Sequence, residues 1–337
     1  MPITGLSTGN LDQRFNGAVT KLDKAWGRLG FTMFERTLID ELAMVAAKDR
    51  SALLQWGIQV DGSSYKIVPL NAETKYSENP PRIIAEAGYK RMDLWAVEWS
   101  QLADDLSRET TVASMPEMAG KPNAAIVLEA MKLLATGESA VCRYDGKAFF
   151  HTQHLIDPFG KDVAANQFPN LITQPLTSDG YNAVANTIRQ RPDPGSDKSK
   201  GILYLPNRGL SGRNMTIYVG DDATAASLGK IFDPASIYNP GLNLASETRR
   251  VYTQATVQLV PEMAADAAFT GNYCYVLVKT NPTLRPLFVR IPHAPKVDRS
   301  MAGSDSEIDR KLSRANGYCT HGQDFGAPHA LYKWKFA

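Results

Sequence analysis

The 337 residues predict an α+β fold with mostly antiparallel strand pairing. Three observations carry that reading. Two stretches have a clear helical period, short runs of β-favouring residues separated by turn signals fill the second half, and those runs mix with helical segments rather than forming a regular β-α repeat. The first helical stretch is Met33 to Ala47. Phe34, Leu38, Leu42 and Val45 recur at helical spacing, with Glu35, Arg36, Asp40 and Glu41 between them, so one amphipathic helix is expected there. The second is 123–136. Asn123 can cap it, its interior AAIVLEAMKLLA is apolar nearly all round, and Gly137 stands where a left-handed residue would close it. A helix of that kind should be covered on most sides.

Strand signals lie at Ser64–Leu70, at Arg82–Trp99 with Tyr89, Trp95, Val97 and Trp99, and at Ala148–Phe150 after the Asp145-Gly146 turn. Further strands are expected at Met215–Val219, Val251–Leu259, Tyr273–Lys279, Leu287–Ile291 and His329–Phe336, and a helix at Asp222–Ile231. Gln190–Gly201 reads as a polar loop, and the first thirty residues as an arm with limited helix. Between Asn71 and Asp93 the charges of Glu73, Lys75, Glu78, Arg82, Glu86, Lys90, Arg91 and Asp93 balance to zero around the breaker Asn79-Pro80-Pro81. This segment has little apolar material to bury, so 57–93 is expected to project from the body as a long hairpin.

Composition narrows the function classes. With 43% hydrophobic and 21% charged residues, the chain can bury a core of ordinary size. A net charge of +2 is too small for a dedicated nucleic-acid reader. Met1–Gly17 has neither a charged n-region nor an apolar h-region, and the apolar run Ala124–Ala135 is interrupted by Glu129 and Lys132. Neither a secretory leader nor a membrane span is therefore expected. Cys142, Cys274 and Cys319 are odd in number and widely spaced, which points to folding in a reducing cytoplasm without disulfides or structural zinc.

Candidate chemistry is sparse. His151, His154 and Asp157 form an H-x-x-H-x-x-D pattern, but the spacing and the missing Glu differ from helical zinc-enzyme motifs. A metal-dependent hydrolase on these residues is the weaker alternative, and no metal, cofactor or catalytic residue is expected. Asp104-Asp105 reads as a solvated or capping pair. Gly209-Leu210-Ser211-Gly212 reads as a turn without a phosphate-loop pattern, and Arg249-Arg250 and Arg310-Lys311 with Arg314 as basic surface.

The block Pro116–Pro158, PEMAGKPNAAIVLEAMKLLATGESAVCRYDGKAFFHTQHLIDP, resembles the major head subunit of Mu-like phages. The matching positions are Leu133-Leu134, Gly137, Cys142, Tyr144-Asp145-Gly146, Phe149-Phe150 and His154. Arg143 is inserted relative to that pattern, and Leu155-Ile156-Asp157 separates His154 from Pro158. Weaker likeness extends to Tyr89–Asp105 and Leu284–Val289. The resemblance implies a Hong Kong 97-type phage capsid fold. Its parts would be an N-terminal arm (1–56), an E-loop hairpin (57–93), a peripheral domain with spine helix 123–136 (94–175), an axial domain (176–280) and returning strands (281–337).

It implies a non-enzymatic major capsid protein that assembles with itself into hexamers and pentamers of an icosahedral head. Scaffolding and portal proteins would be partners, and packaged double-stranded DNA would be touched without specificity. The location would be the virion after assembly in the host cytoplasm, with no membrane contact. Glu73, Lys75, Glu78, Arg82, Lys90 and Arg91 are the candidate inter-subunit contacts. A portal, tail-tube or decoration protein is the structural alternative.

Overall fold

The computed structural model describes residues 33–47, 54–58, 82–87, 90–98, 124–158, 164–192, 214–232, 255–266, 269–279, 285–299 and 314–337, and single positions 17, 20, 205, 207 and 210. In chain order these give α1 (Met33–Leu42), β1 (Ala43–Ala47), β2 (Leu54–Ile58), β3 (Arg82–Ala87) and β4 (Lys90–Glu98). Helix α2 is described over 124–135. Then come β5 (His154–Leu155), β6 (Gln167–Phe168), β7 (Leu171–Thr173), α3 (Ser178–Arg189), β8 (Met215–Val219), α4 (Asp222–Phe232) and β9 (Thr256–Leu259). Strands β10 (Tyr273–Val278), β11 (Leu287–Arg299), β12 (Arg314–Phe325) and β13 (Leu331–Lys335) complete the order.

Among the described residues the largest sheet has five strands in the order β7-β13-β10-β8-β9. Strand alternation gives it two apolar faces. Tyr273, Tyr275 and Leu277 of β10 join one core with α1, α2, Phe149 and Phe150. Cys274, Val276 and Val278 join the other, with Tyr181, Val184 and Ile188 of α3 and Leu228 and Ile231 of α4. Helices thus cover both faces. A second sheet, β1-β11-β12-β4, is built on the hairpin of β11 and β12. The expected antiparallel majority holds among the described strand pairs. The parallel ones are β1 with β11, β13 with β7 and β8 with β9.

Three local expectations need correction. The helix at Met33 stops at Leu42, and Ala43–Ala47 forms a strand beside Leu287–Ile291. Leu38, Ile39 and Leu42 are buried on the helical spacing, but beyond Leu42 the ladder offered by β11 overrides the helix propensity of the alanines. Val45 packs on the core from a strand.

Gly137 is not left-handed. The spine helix runs into a 3-10 turn at Thr136–Glu138, and Gly146 and Gly271 are the positive-φ glycines among the described residues. Gly137 is there because a Cβ would lie 2.6 Å from Cδ2 of Phe150, while its carbonyl accepts from the Phe150 N–H at 2.7 Å. The spine is also less enclosed than expected. Ile126, Val127, Ala130, Met131 and Leu134 are buried, but Leu128 and Leu133 are only half-buried.

Several expectations lie outside the described residues: the strand at Ser64–Leu70, the breaker at 79–81, Asp104-Asp105, Arg249-Arg250 and most of the loop at 190–201. Among the described residues no helix is long and apolar enough to cross a membrane.

The two glycines should respond differently to substitution. Gly146 has φ +76° and open space around its Cβ position, so Gly146→Asn should be tolerated and Gly146→Ala should cost about 1–2 kcal/mol. Gly137→Ala should cost about 1–3 kcal/mol through overpacking, and Gly137→Asn should give no relief. Denaturant midpoints of the four variants check this.

Candidate functional site

Several buried polar side chains meet in one cluster around the turn that follows the spine helix. Its frame is local. The Cys142 N–H donates to the Lys147 carbonyl at 2.8 Å and the Gly146 N–H to the Cys142 carbonyl at 3.1 Å, closing a tight turn. That turn aims Asp145 inward. Oδ2 of Asp145 accepts the Leu155 N–H at 2.9 Å and lies 2.8 Å from Nδ1 of His154. Oδ1 accepts the Lys147 N–H at 3.2 Å and faces Sγ of Cys142 at 3.6 Å. Nε2 of His154 lies 2.9 Å from the carbonyl oxygen of Phe149. Both side chains of the pair are fully buried.

A second brace meets the same carbonyl. Nδ2 of buried Asn170 donates to Phe149 O at 2.7 Å, to Pro328 O at 3.0 Å and, more weakly, to Leu331 O at 3.4 Å. Its Oδ1 accepts the His151 N–H at 2.8 Å. Phe168 and His329 wall the cluster, with ring centroids 5.6 Å from His154 and 5.6 Å from Tyr144 respectively.

The electrostatics follow from burial and partners. Burial alone would raise Asp145, but the hydrogen bond and charge of His154, with the Leu155 and Lys147 N–H groups, hold its carboxyl below the ordinary range. Burial first, and then the charge of Asp145, push the Cys142 thiol up to about 12. His329 is held well below the ordinary imidazole range, by burial first and then by the charges of Arg191 and His154.

The sequence motif divides here. His151 is half-buried, its Nδ1 accepting the Gln153 N–H at 3.0 Å. The Asp157 N–H goes to Asn166 Oδ1 at 2.8 Å. The partner His154 finds is Asp145, which the sequence shows only as a turn residue. Ligand atoms of Cys142, Asp145 and His154 lie within 4.8 Å of one another. That spacing could hold a metal, though here peptide N–H groups point at both carboxylate oxygens and both ring nitrogens of His154 face oxygen atoms.

A second buried charge also escaped sequence reading. Lys333 of β13 is 3% exposed. Its Nζ lies 2.7 Å from Glu138 Oε1 and 3.8 Å from the Tyr273 ring centroid. Lys335 holds the other oxygen of Glu138 at 2.9 Å. Burial would raise Glu138, yet the two lysines keep its carboxyl below the ordinary range.

Of the candidate contact residues, Arg82 lies on β3, in register with Ile58. Lys90 and Arg91 lie on β4, in register with His321 and Thr320. The expected boundary at 93 therefore cuts through β4. Glu73, Lys75 and Glu78 lie outside the described residues.

Comparison with known proteins places this geometry. No protein-family profile and no curated protein matches the sequence. Among solved structures, the capsid of cyanophage P-SCSP1u superposes with TM-score 0.50 at 12% identity, over 89% of this chain and 88% of that one. The procapsid of bacteriophage JBD30 gives 0.48 at 13% identity over 98% and 77%, and the capsid of a native GTA particle 0.48 at 13% over 89% and 89%. The cyanophage likeness gives the fold: this chain has the Hong Kong 97-type fold of phage capsid subunits.

Asn170→Ala should leave the Pro328 carbonyl short of a donor and the His151 N–H short of an acceptor, while the Phe149 carbonyl keeps His154. A loss of about 1–3 kcal/mol is expected for each group left unsatisfied, read as a lowered denaturant midpoint with unchanged slope.

Proposed function

We propose that this chain is the major capsid protein of a tailed phage or prophage, of the Mu-like kind, and that its function is self-assembly into hexamers and pentamers of a closed head. The observation that carries the proposal is the cyanophage capsid likeness, which runs through nearly nine tenths of both chains. The Mu-like assignment rests on the block Pro116–Pro158. Its turn and Phe-Phe pair account for the packing under the spine helix.

On this reading 1–56 is the arm, 57–93 the E-loop, 94–175 the peripheral domain, 176–280 the axial domain and 281–337 the returning strands. The pairing of β2 with β3, which brackets 59–81, supports a projecting hairpin. Glu73, Lys75, Glu78, Arg82, Lys90 and Arg91 would meet neighbouring subunits, each exposed pair worth about 0–1 kcal/mol. Such contacts form reversibly, so misplaced subunits can leave, while many copies sum to a stable shell. Heterologous contacts that close on themselves give rings and shells. Scaffolding and portal proteins would assist, DNA would be held without specificity, and the virion is the final location.

We read the chain as structural, without catalysis or a bound metal. Metal analysis of protein purified without added metal should find no stoichiometric zinc or manganese; one ion per chain would overturn this.

The assembly reading has its own test. Lys75→Glu with Arg82→Glu should leave the melting temperature of the unassembled subunit nearly unchanged, while electron-microscope counts of closed shells fall. Added salt should weaken wild-type assembly in the same direction. A double variant that assembles as well as wild type, or that melts far below it, would remove the hairpin from the interface.

A further inference from the structure

We infer that the Asp145–His154 pair carries one proton more than a carboxylate beside a neutral imidazole, with both ring nitrogens of His154 protonated, and that this proton clamps the segment from Asp145 to Leu155 onto the core. The inference goes beyond the capsid reading and stands without it.

The geometry sets the protonation. A neutral imidazole has one N–H donor and one acceptor nitrogen. The carbonyl oxygen of Phe149, 2.9 Å from Nε2, can only accept, so Nε2 must carry a proton. Oδ2 of Asp145 stands 2.8 Å from Nδ1. A proton lies between those two atoms or they repel. It could sit on the carboxyl instead, but the Leu155 and Lys147 N–H groups and the Cys142 thiol already point at that group. Three donors favour the ionised carboxylate, which leaves the proton on the imidazole.

Other groups face the pair. His151, on the same segment, has its ring centroid 5.9 Å away. His329 approaches from the 3-10 turn Pro328–Ala330. Arg191, beyond α3, sits 5.6 Å from the Phe168 ring that covers His154. Arg191 and His329 would oppose a positive His154, and His329 answers by staying neutral, with no hydrogen-bond partner at Nδ1 among the described residues. Two histidines in one core thus take opposite protonation states.

The consequence is a clamp. Without its second proton, His154 turns a lone pair toward either the carboxylate or the Phe149 carbonyl, and one of the two contacts that hold the segment from Asp145 to Leu155 is lost.

The test uses the full chain with nitrogen-15 in the histidine rings, the His154 signal being identified by its loss in His154→Gln, or by substituting the other histidines should that variant not fold. At about pH 7.5 both ring nitrogens of His154 should resonate as protonated, while His329 shows one protonated and one bare nitrogen. Asp145→Asn should convert His154 to the neutral pattern. A single protonated nitrogen at wild-type His154 overturns the inference, as does a doubly protonated His154 ring that persists in Asp145→Asn. If Asp145→Asn does not fold, the wild-type ring spectrum decides alone.

Discussion

The carbonyl of Phe149 cannot reach water, and much of the surrounding structure answers that fact. Phe149 and Phe150 are fully buried, stacked on Phe325 and Tyr275 with centroids 4.5 and 5.4 Å apart. Placing two adjacent aromatic residues in the core drags the peptide between them inside, and a buried peptide oxygen needs a donor. Two side chains supply one each, His154 and Asn170. Each then needs partners of its own. His154 requires Asp145, hence the tight turn at Gly146. Asn170 requires the carbonyls near Pro328 and Leu331, hence the close approach of the final strand. One obligation therefore ties together the spine-helix exit, the start of β7 and β13.

The elements that the sequence made legible are those whose pattern is set by burial on one repeating period. Tyr273–Val278 and Met215–Val219 are strands because alternate residues must enter two different cores. Asp222–Phe232 was legible, within a residue, from its apolar spacing. Misreadings arose where a partner distant in sequence decides. Ala43–Ala47 has helix-forming composition, and only the edge of β11, more than two hundred residues later, makes it a strand. Gly137 has the position of a helix stop, yet what excludes a side chain there is the ring of Phe150.

The candidate site was half visible for a related reason. His154 drew attention as one of few histidines, but its sequence neighbours His151 and Asp157 suggested a metal grouping that the fold takes apart. Asp145 was visible only as the first half of an Asp-Gly turn. Nothing local marks an aspartate whose side chain faces inward, because its inward direction is fixed by the strand that begins at His154. Lys333 was hidden similarly. Alternation along β13 places it in a core position, where an amine survives only because Glu138 and the face of Tyr273 lie opposite.

On the proposed reading, these buried polar groups and the mixed-charge segment of 71–93 do opposite physical work. A buried ion pair adds little net stability over an apolar substitute, but breaking one side of it costs several kcal/mol. It therefore discourages alternative packings more than it strengthens the correct one. Exposed charges of both signs do the reverse: each contact is weak, salt-sensitive and easily exchanged. A subunit that must keep one shape while sampling many neighbours needs both properties in separate places. The Asp145–His154 pair is fully buried and Lys333 is buried beside the partly exposed Glu138, while the balanced charges lie in a stretch with little apolar material to bury. On the proposed reading, fidelity of the subunit is set in the first place and correctability of the shell in the second. Interchanging the two would give a subunit with many packings and contacts too strong to undo.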